Sequence, residues 1–503
     1  MEPRLLTRRT FFKWAAFATG ASALAACGAT ATPLAQATPL AQATPQAQAT
    51  PQAQATAAVA EQQPTATAAV AANTAAATTE EVEVRFAFWD WYAMAPGIRW
   101  DEWNQTEAFP VFQEANPGIK LSWELVDDFP KVLTQMSAGT APDVMAVWDP
   151  AMTVWAEKGQ LLDLQPFVDR DIPNADDIYT KLAWDQMWNP DLSMRMGMLA
   201  DLDITSVYYN KTAFDEAGVP QPTKDWNTDD YKSAAIALTK KDDADNVTRW
   251  GGELRADFWT GWSHYIQAWG GEVRDPDTRM TCLLDSTESM DAIEWMRKGM
   301  FEDNCFAQPN QMTGTGLPST WTGAVPAGVL AFAERSADQF FSMADAVKDF
   351  EWDIAHVPQG PKSRSCMGLP DQWCVYKGVI DRGREEQVWS LMKWLASDWY
   401  QEKIASVAGR IPGLKSVVTN WASTLRKIDP RLEKVHLETL TEQMEMGYPT
   451  GTQMFRFQAL ADETITPAMD QIFVEGKADA TLMKEMAPQV TEAQQKALAE
   501  SQS

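Results

Sequence analysis

Residues 201–226 read DLDITSVYYNKTAFDEAGVPQPTKDW, and the interpretation of the whole chain starts from this stretch. The apolar run Ile204 to Tyr209 contains β-branched residues and two tyrosines, which predicts a buried strand. A short helix around Phe214 to Ala217 follows. Gly218 is predicted to end it, because glycine readily adopts the left-handed conformation of a helix C-terminus. The prolines that come next predict an extended turn.

The first 26 residues predict an export signal and are excluded from the fold. Residues 7–13, TRRTFFK, match a twin-arginine signal. The apolar stretch after it is too short to span a membrane and ends in LAAC at residues 24–27, which resembles a lipoprotein cleavage box. By that resemblance Cys27 becomes the first mature residue and carries lipid. The alternative is a plain signal peptide with an incidental cysteine.

Residues 27–80 predict a disordered tether. The hexapeptides ATPLAQ and ATPQAQ repeat in tandem from Ala31, and the segment contains no aromatic residue, so little in it offsets the entropy cost of ordering. A flexible chain of this length has an end-to-end distance of roughly 40 Å. The arrangement suits a spacer between a lipid anchor and a folded domain. A low-complexity segment without a task is the alternative, and glycosylation of the Thr-Pro pairs stays open.

The remaining residues, about 420, are too many for one ordinary core and predict two lobes. The formal net charge is −27, and the export signal is basic, so the mature chain is still more acidic. This charge disfavours nucleic acid, anionic membrane surfaces and phosphorylated ligands as partners, and it is compatible with neutral or cationic ligands.

Besides Cys27 the chain has four cysteines, an even number that fits an oxidising compartment. Sequence order suggests the bridges Cys282–Cys305 and Cys366–Cys374, although three pairings are possible. Twin-arginine substrates usually fold before export in a reducing cytosol. Free, buried thiols are therefore the alternative.

The mature domain opens with an alternation of strands and helices. We predict a first strand at Val82–Trp89, a helix closed by Asn116-Pro117-Gly118, a second strand at Ile119–Val126 and a third at Val144–Val147. Asp143 is expected to hold a turn through backbone hydrogen bonds. Two amphipathic helices follow further on, at 227–240 with Thr228 as N-cap and at 286–300.

Three segments carry a family resemblance. YYNK at 208–211, AGTAPDV at 138–144 and AGRIPGLKS at 408–416 resemble elements of the extracellular solute-binding proteins that serve ABC transporters, of the carbohydrate-binding type. Together with their neighbours the matches span nearly all of the mature domain in the family's order. The resemblance implies an α/β fold of the two-lobe, type II periplasmic-binding-protein kind, in which each lobe is a mixed sheet flanked by helices and the ligand cleft lies at the hinge.

The resemblance also implies where the chain changes lobe, with the second hinge at Pro358–Gly360. The expected segments are a signal peptide at 1–26, a tether at 27–80, lobe one at 82–205, lobe two at 206–357, lobe one again at 358–412, and helices returning to lobe two at 413–495.

Aromatic faces complement the C–H-rich face of a sugar, and carboxylates and amides complement its hydroxyls. The chain has 23 tryptophans, and most of these are expected in the core. Position along the chain identifies the candidates. Two Trp–Asp pairs follow predicted strands and so point at the cleft, Asp203 lies on the crossover, and one Trp–Gly pair resembles the rim of the second lobe. The ligand-binding candidates are Asp90, Trp91, Trp148, Asp149, Asp203, Trp269, Gly270, Gln372, Trp373 and Arg410.

Three of these candidates depart from the family pattern. Gln372 and Trp373 stand where the family has a glycine-rich segment, so Trp373 would replace a stacking contact. Arg410 stands where the family is often apolar. Its guanidinium pairs either with an acidic sugar or with a carboxylate of its own lobe.

Catalytic, metal and cofactor motifs are weak throughout the sequence. The three histidines, His264, His356 and His436, have no zinc-binding spacing, and there is no Walker A motif, GxSxG or dinucleotide fingerprint. We expect no enzyme activity, no metal and no cofactor.

The resemblance implies a monomeric, lipid-anchored protein outside the cytoplasmic membrane that binds a sugar or oligosaccharide and delivers it to ABC permease subunits. The same fold binding a polyamine or another small polar solute is the first alternative. A secreted glycoside hydrolase, which needs two carboxylates about 5–10 Å apart, and a purely structural surface protein are the others.

Overall fold

The computed structural model describes residues 81–501 apart from 89–94, 96, 126–128, 257–258, 318–322, 338 and 452, and it describes residues 148–150 through their backbone alone. The predictions for the signal peptide, the tether, Cys27, Asp90 and Trp91 lie outside the described residues.

The described strands, in chain order, are β1 (Val82–Phe88), β2 (Ile119–Leu125), β3 (Val144–Trp148), β4 (Trp188–Asn189), β5 (Met194–Arg195), β6 (Gly197–Asn210), β7 (Lys240–Lys241), β8 (Val247–Arg249), β9 (Gly252–Glu253), β10 (Phe306–Ala307), β11 (Phe332–Ser336), β12 (Trp352–Ala355), β13 (Cys366–Val375), β14 (Ile411–Pro412) and β15 (Pro449–Thr450).

The described α-helices up to the middle of the chain are α1 (Trp100–Trp103), α2 (Phe109–Ala115), α3 (Phe129–Ser137), α4 (Asp149–Glu157), α5 (Gln165–Asp171), α6 (Ala175–Ile178), α7 (Lys181–Gln186), α8 (Lys211–Ala217), α9 (Thr228–Leu238), α10 (Trp259–Ala268), α11 (Thr287–Phe301) and α12 (Pro309–Thr313). Those after them are α13 (Gln339–Ala346), α14 (Glu385–Leu395), α15 (Asp398–Val407), α16 (Lys415–Val418), α17 (Trp421–Ile428), α18 (Glu438–Glu445), α19 (Gln458–Phe473) and α20 (Met483–Ser501).

Nine of the described strands form one mixed sheet in the order β11-β6-β13-β3-β1-β2, with β12 and β14 on β6 and β15 on β13. Strands β1, β2 and β3 are parallel, and β13 is antiparallel to β3 and to β6. Helices cover the sheet, which confirms the mixed α/β class predicted from the sequence.

The buried apolar side chains form two separate cores. The first contains the residues of β1, β2 and β3, the first half of β6 and the side chains packed around Trp373. The second contains Tyr209, Phe214 and the helices α9, α10, α11 and α19. Two cores joined by continuous strands correspond to the two lobes that the chain length predicts.

The predicted lobe boundaries stay a prediction, although several parts of the chain pack differently from it. The buried side chains between Leu414 and Leu440 belong to the first core, and those from Phe455 onward belong to the second. Met312, Phe340 and Ile354, from the segment predicted for lobe two, also belong to the first core. Residues 359–363 still hydrogen bond to Trp226 and Ala268 of the second-lobe side. The chain therefore stays attached to the second-lobe side beyond the predicted hinge at Pro358–Gly360.

The local predictions around the opening stretch are confirmed. Helix α8 ends at Gly218, whose φ of 65° is the left-handed conformation expected there. The predicted helix cap at Thr228 is wrong by one residue. Asn227 is the cap, since its side chain accepts hydrogen bonds from the backbone amides of Asp229 and Asp230.

The Asp143 side chain binds a neighbouring strand and two arginines, whereas the prediction had it hold its own turn through backbone hydrogen bonds. Its Oδ2 accepts a hydrogen bond from the Arg85 amide at 2.9 Å, and its carboxylate forms ion pairs with Arg382 and Arg384. The buried carboxylate therefore ties the loop before β3 to the loop after β13.

Strand β6 is long enough to belong to both lobes. All but one of its residues are buried, and its register with β13 shifts where Asp371 pairs with Asp201 and Gln372 pairs with Leu199. This bulge leaves Ala200 without a partner on β13. The Gln401 amide compensates by donating to the Ala200 carbonyl at 2.9 Å.

Gln443 on α18 binds two parts of the chain that lie near the crossings between the lobes. Its Nε2 donates to the Thr205 carbonyl at 2.9 Å and to Ser206 Oγ at 2.6 Å on β6, and its Oε1 accepts from the Val357 amide at 2.8 Å. The side chain is fully buried. Neither end of the amide has access to water as a substitute partner.

The predicted cysteine bridges are not formed. Cys282, Cys305, Cys366 and Cys374 are all free and buried. The pair Cys366–Cys374 is excluded by geometry, because the two residues lie at opposite parts of β13, roughly 26 Å apart at the rise of a strand, whereas a disulfide needs Cα atoms about 6 Å apart. Burial raises the pKa of both Cys282 and Cys305 to about 12.

Within the described part of the chain, none of the helices combines the length and the apolar character that a membrane crossing requires.

We predict that Gln443→Ala lowers the free energy of unfolding by about 3 kcal/mol, because it removes three hydrogen bonds and leaves their buried partners unsatisfied. Urea denaturation followed by tryptophan fluorescence measures this change. Gln471→Ala, at an exposed position on α19, is the matched control and should change stability by less than about 0.5 kcal/mol. Equal effects of the two substitutions would contradict the role given to Gln443.

We also predict that the four buried thiols resist alkylation by iodoacetamide in the native protein and all react once it is unfolded without reductant. Burial disfavours the reactive thiolate in the native state. Peptide mass spectrometry distinguishes each of these thiols from Cys27. Disulfide-linked peptides containing Cys282 and Cys305 in unfolded, unreduced protein would contradict the free state.

Candidate functional site

The candidate site lies where β6, β13 and β14 meet, at the crossing between the lobes. In register, Asp201 on β6 stands opposite Asp371 on β13 and Pro412 on β14, and Asp203 stands opposite Leu369. Three carboxyl-bearing residues of two adjacent strands are thereby brought to one place. The first strand supplies two of them because alternate residues of a strand share a face.

Arg410 is the cation at the centre of this group. Its Nη1 donates to Asp203 Oδ1 at 2.9 Å and lies 3.8 Å from both Asp201 Oδ1 and Asp371 Oδ2. The guanidinium is almost completely buried, and the Arg410 carbonyl accepts a hydrogen bond from the Trp421 indole. Of the two partners expected for Arg410, the carboxylates of its own lobe are the ones it binds in this structure.

The carboxyl groups differ in their access to solvent. The Asp201 side chain is fully buried, whereas those of Asp203 and Asp371 keep 19% and 14% of their surface exposed. Asp201 also lies close enough to Tyr400 for its charge, added to burial, to raise the pKa of that phenol. Asp201 is therefore enclosed by protein, whereas Asp203 and Asp371 keep contact with solvent.

The backbone of the Trp148–Asp149 pair reaches the same place. Trp148 ends β3 and pairs in register with Asp371, which in turn pairs with Asp201. Asp149 begins α4 directly after it. The structure thus brings together four of the predicted positions, Trp148, Asp149, Asp203 and Arg410.

Trp269 and Gly270 lie on the second lobe, at the C-terminal end of α10. The Trp269 ring is half-buried and packs against Trp295, with ring centroids 5.1 Å apart. Gly270 has a φ of 87°, and the side chain of Lys362 fills the space where a Cβ would stand. The pair borders the segment that leads into β13, and contact with a ligand stays a prediction.

The predicted roles of Gln372 and Trp373 are wrong, because both side chains are fully buried in the first lobe. The Trp373 ring contacts Phe86, Phe88 and Tyr400, so its faces are occupied by core residues. Both residues follow the bulge at Asp371, after which β13 pairs with core-facing positions of β3 and β6.

Asp371 and Asp201 are the site residues that the sequence prediction missed. Asp201 is two residues before Asp203, so strand alternation was an available signal. Asp371 precedes the predicted candidate Gln372. The bulge between them interrupts the in-and-out alternation of side chains along β13, so the sequence pattern did not show that Asp371 is the site residue.

A second polar cluster lies on the other side of β6, in the second lobe. Glu334 on β11 accepts a hydrogen bond from the Tyr265 phenol at 2.5 Å and lies 3.0 Å from His264 Nε2. Next to it, Arg335 and Glu253 form a buried ion pair at 2.6 Å. Burial, with the charge of Glu334, raises the pKa of Tyr265 well above its ordinary value. The Tyr265 phenol and the Arg335 guanidinium thus have the partners that buried polar groups require, whereas His264 Nε2 forms no hydrogen bond with the described residues.

Metal coordination is not a feature of the described residues, which contain no group of three or more histidine, cysteine or acidic side chains placed to hold an ion.

The fold has many relatives among solved structures. The chain superimposes with a TM-score of 0.67 on an ABC substrate-binding protein of Listeria monocytogenes in complex with cycloalternan, at 20% identity over 84% of this chain and 100% of that one. The TM-score is 0.62 for UgpB from Mycobacterium tuberculosis in complex with glycerophosphocholine, at 18% identity over 84% of this chain and 100% of that one. It is 0.63 for maltose-bound MalE3 of T. maritima, at 14% identity over 82% and 99%.

These similarities establish the two-lobe periplasmic-binding-protein fold. The family described as bacterial extracellular solute-binding protein matches residues 98–402, which is more than half of the chain. The matched range includes the crossing strands β6 and β13 and ends shortly before Arg410. The chain belongs to the bacterial extracellular solute-binding protein family.

Proposed function

We propose that this protein captures a neutral sugar or oligosaccharide between its two lobes and delivers it to the permease of an ABC importer. The observation that carries the proposal is the group of carboxyls at the lobe crossing, where Asp203 and Asp371 stay accessible beside the buried Arg410. Two of the solved relatives described above hold carbohydrates, which supports a carbohydrate as the ligand.

The chemistry of the crossing suits sugar hydroxyls. A carboxylate accepts strong hydrogen bonds from hydroxyl donors, and a guanidinium paired with it fixes its orientation. Trp148 ends a strand at the same edge, where an aromatic face can cover the apolar side of a sugar ring. Asp203, Asp371 and Trp148 are therefore the proposed contacts of the first lobe, and Asp149 and Trp269 are assigned to the margins of the cleft.

Delivery requires that the protein stay near its permease. The LAAC sequence at residues 24–27 favours lipidation of Cys27 after export through the twin-arginine route, and the segment up to residue 80 then serves as the tether. A monomer held in this way outside the cytoplasmic membrane can present its closed form to permease subunits.

The relative that holds glycerophosphocholine favours one alternative, a small polar solute with a cationic group. The carboxyls at the crossing would then bind the cation instead of hydroxyls. A secreted glycoside hydrolase gains no support, since the family and the relatives described above are binding proteins.

We expect a thermal-shift screen to identify a neutral saccharide as the stabilising ligand. The panel contains maltose, maltotriose, mannotriose, cycloalternan, glycerophosphocholine and polyamines. A ligand at one hundred times its Kd stabilises the folded state by about 2.7 kcal/mol, which shifts the melting temperature measurably.

Asp203→Asn should then weaken binding of that ligand by roughly 10- to 100-fold, because a hydrogen bond to a charged group contributes about 1.5–3 kcal/mol. Isothermal titration calorimetry measures the change, and Asp243→Asn, in an exposed turn, is the control. Stabilisation by glycerophosphocholine or polyamines alone would replace the sugar by a cationic solute, and silence across the panel would contradict the proposal.

Arg410→Met is expected to destabilise the fold by about 3–5 kcal/mol, because it leaves the neighbouring carboxyls without their buried counter-charge. Chemical denaturation gives the value. Arg99→Met removes an exposed arginine that is paired with Asp101, and its effect should stay below about 1 kcal/mol. A stable Arg410→Met variant that binds ligand normally would show that the guanidinium neither supports the fold nor orients Asp203.

A further inference from the structure

Away from the crossing, an ion pair joins the two lobes directly. Asp191 lies in the turn between β4 and β5 of the first lobe. Its Oδ2 lies 3.0 Å from Arg279 Nη1 and its Oδ1 lies 3.6 Å from Arg456 Nη1. Both arginines belong to loops of the second lobe, next to Cys282 and Phe455 of its core. Because these contacts run from one lobe to the other, separation of the lobes would break them.

The turn that carries Asp191 is held in shape before the contact is made. The Asn189 side chain accepts hydrogen bonds from the backbone amides of Asp191 and Leu192, at 3.0 and 3.1 Å. On the other side, the Arg456 amide donates to the Arg279 carbonyl at 2.9 Å, which keeps the two arginines together. Preorganised partners lose less conformational entropy when they meet.

Glu157 lies beside this ion pair. It is the last residue of α4, a first-lobe helix that packs against α19 of the second lobe. Its Oε1 is buried and has no hydrogen-bond partner. An ionised carboxylate in that position would be costly, since burial removes its hydration without supplying donors.

The charges around Glu157 do not cancel that cost. Burial raises the pKa of Glu157 to about 8, and the charge of Asp191 acts in the same direction. Arg279, Arg456 and the next residue, Lys158, lower it. On the facing helix α19, burial also raises the pKa of Asp462, to about 7. With the lobes closed, Glu157 therefore holds a proton at neutral pH.

We propose that Glu157 takes up a proton when the lobes close. This uptake makes closure sensitive to external pH at the contact of Asp191 with Arg279 and Arg456, which we call the Asp191 clasp. The inference rests on the proposed function in one respect, namely that lobe closure is the motion that captures the ligand.

The direction of the pH effect follows from linkage. In open lobes the end of α4 faces solvent and Glu157 titrates near its ordinary pKa of 4.5, whereas in closed lobes its pKa is about 8. The closed state therefore binds one more proton between those values. Closure is fully favoured below the lower pKa, weakens by up to about tenfold per pH unit as the pH rises between the two, and becomes independent of pH above the higher one.

The test measures lobe closure without any ligand. Nitroxide labels are attached through Lys181→Cys on the first lobe and Lys477→Cys on the second, at side chains that are 83% and 73% exposed. The full chain also carries Cys27→Ser, and the buried native thiols stay unlabelled. Double electron–electron resonance then gives the ratio of closed to open molecules, with the closed population defined by the separation in this structure.

We expect the closed-to-open ratio to fall as the pH is raised from 6 to 9, and to become flat in Glu157→Gln, which mimics the protonated side chain. Glu463→Gln, an exposed acid on α19, should keep the wild-type pH dependence. Asp191→Asn should lower the ratio at every pH.

A distance distribution that does not change with pH would overturn the proposal. Unchanged pH dependence in Glu157→Gln would also overturn it, and loss of that dependence in Asp462→Asn instead would assign the proton to Asp462. Thermal melts confirm that each variant is folded. Because this experiment contains no sugar, its result is independent of the saccharide screen. Either the proposed ligand or the proposed pH dependence of closure can therefore be wrong without the other.

Discussion

The structure depends on β6, a strand that the two lobes share. Its neighbours change at one point. Strand β13 pairs with it up to Ile204, and β11 pairs with it from Thr205 onward. Each half of β6 therefore pairs with a different set of strands. Rotation of the lobes relative to each other is expected at the peptide between Ile204 and Thr205, and where the other segments cross between the lobes.

Gln443 links β6 to the segment before the second crossing, so that movement at one crossing is transmitted to the other. Its amide group binds β6 just beyond that peptide, through the Thr205 carbonyl and the Ser206 hydroxyl, and it also holds Val357, which precedes the second crossing. Asp203 lies only two residues from Thr205. A ligand that contacts Asp203 therefore acts close to the hinge, where a small displacement becomes a large movement at the rim of the lobes.

The local elements were predictable from the sequence, because each depends on residues close together in the chain. Gly218 ends α8 and the strand limits at Val82 and Ile119 are correct, since turn chemistry and hydrophobic period determine them. The error at Trp373 has a different origin. The shift of register at Asp371 depends on Ala200, on another strand, so no pattern within β13 reveals it.

The cysteine pairing and the Asp191 clasp could not be predicted for the same reason, since both depend on residues distant in the chain. The even number of cysteines suggested bridges, but placement on one extended strand separates Cys366 from Cys374. The length of that strand follows from its pairing with β6 and β3. Asp191 and Glu157 likewise have no local signature. Their properties arise from Arg279 and α19, which reach them only through the tertiary fold.

A clasp of this kind must be weak in order to be useful. A ligand shifts an equilibrium only by the difference between its affinities for the two states, so lobes that were held firmly closed without ligand would leave little for the ligand to change. Partly exposed ion pairs contribute only about 0–1 kcal/mol, and the Asp191 carboxylate keeps 22% of its side-chain surface exposed. The buried Glu157 opposes closure whenever it is ionised. The attraction of Asp191 to the two arginines and the cost of burying an ionised Glu157 therefore act at the same contact. The balance between open and closed lobes is then set by the ligand at the crossing and by the external pH.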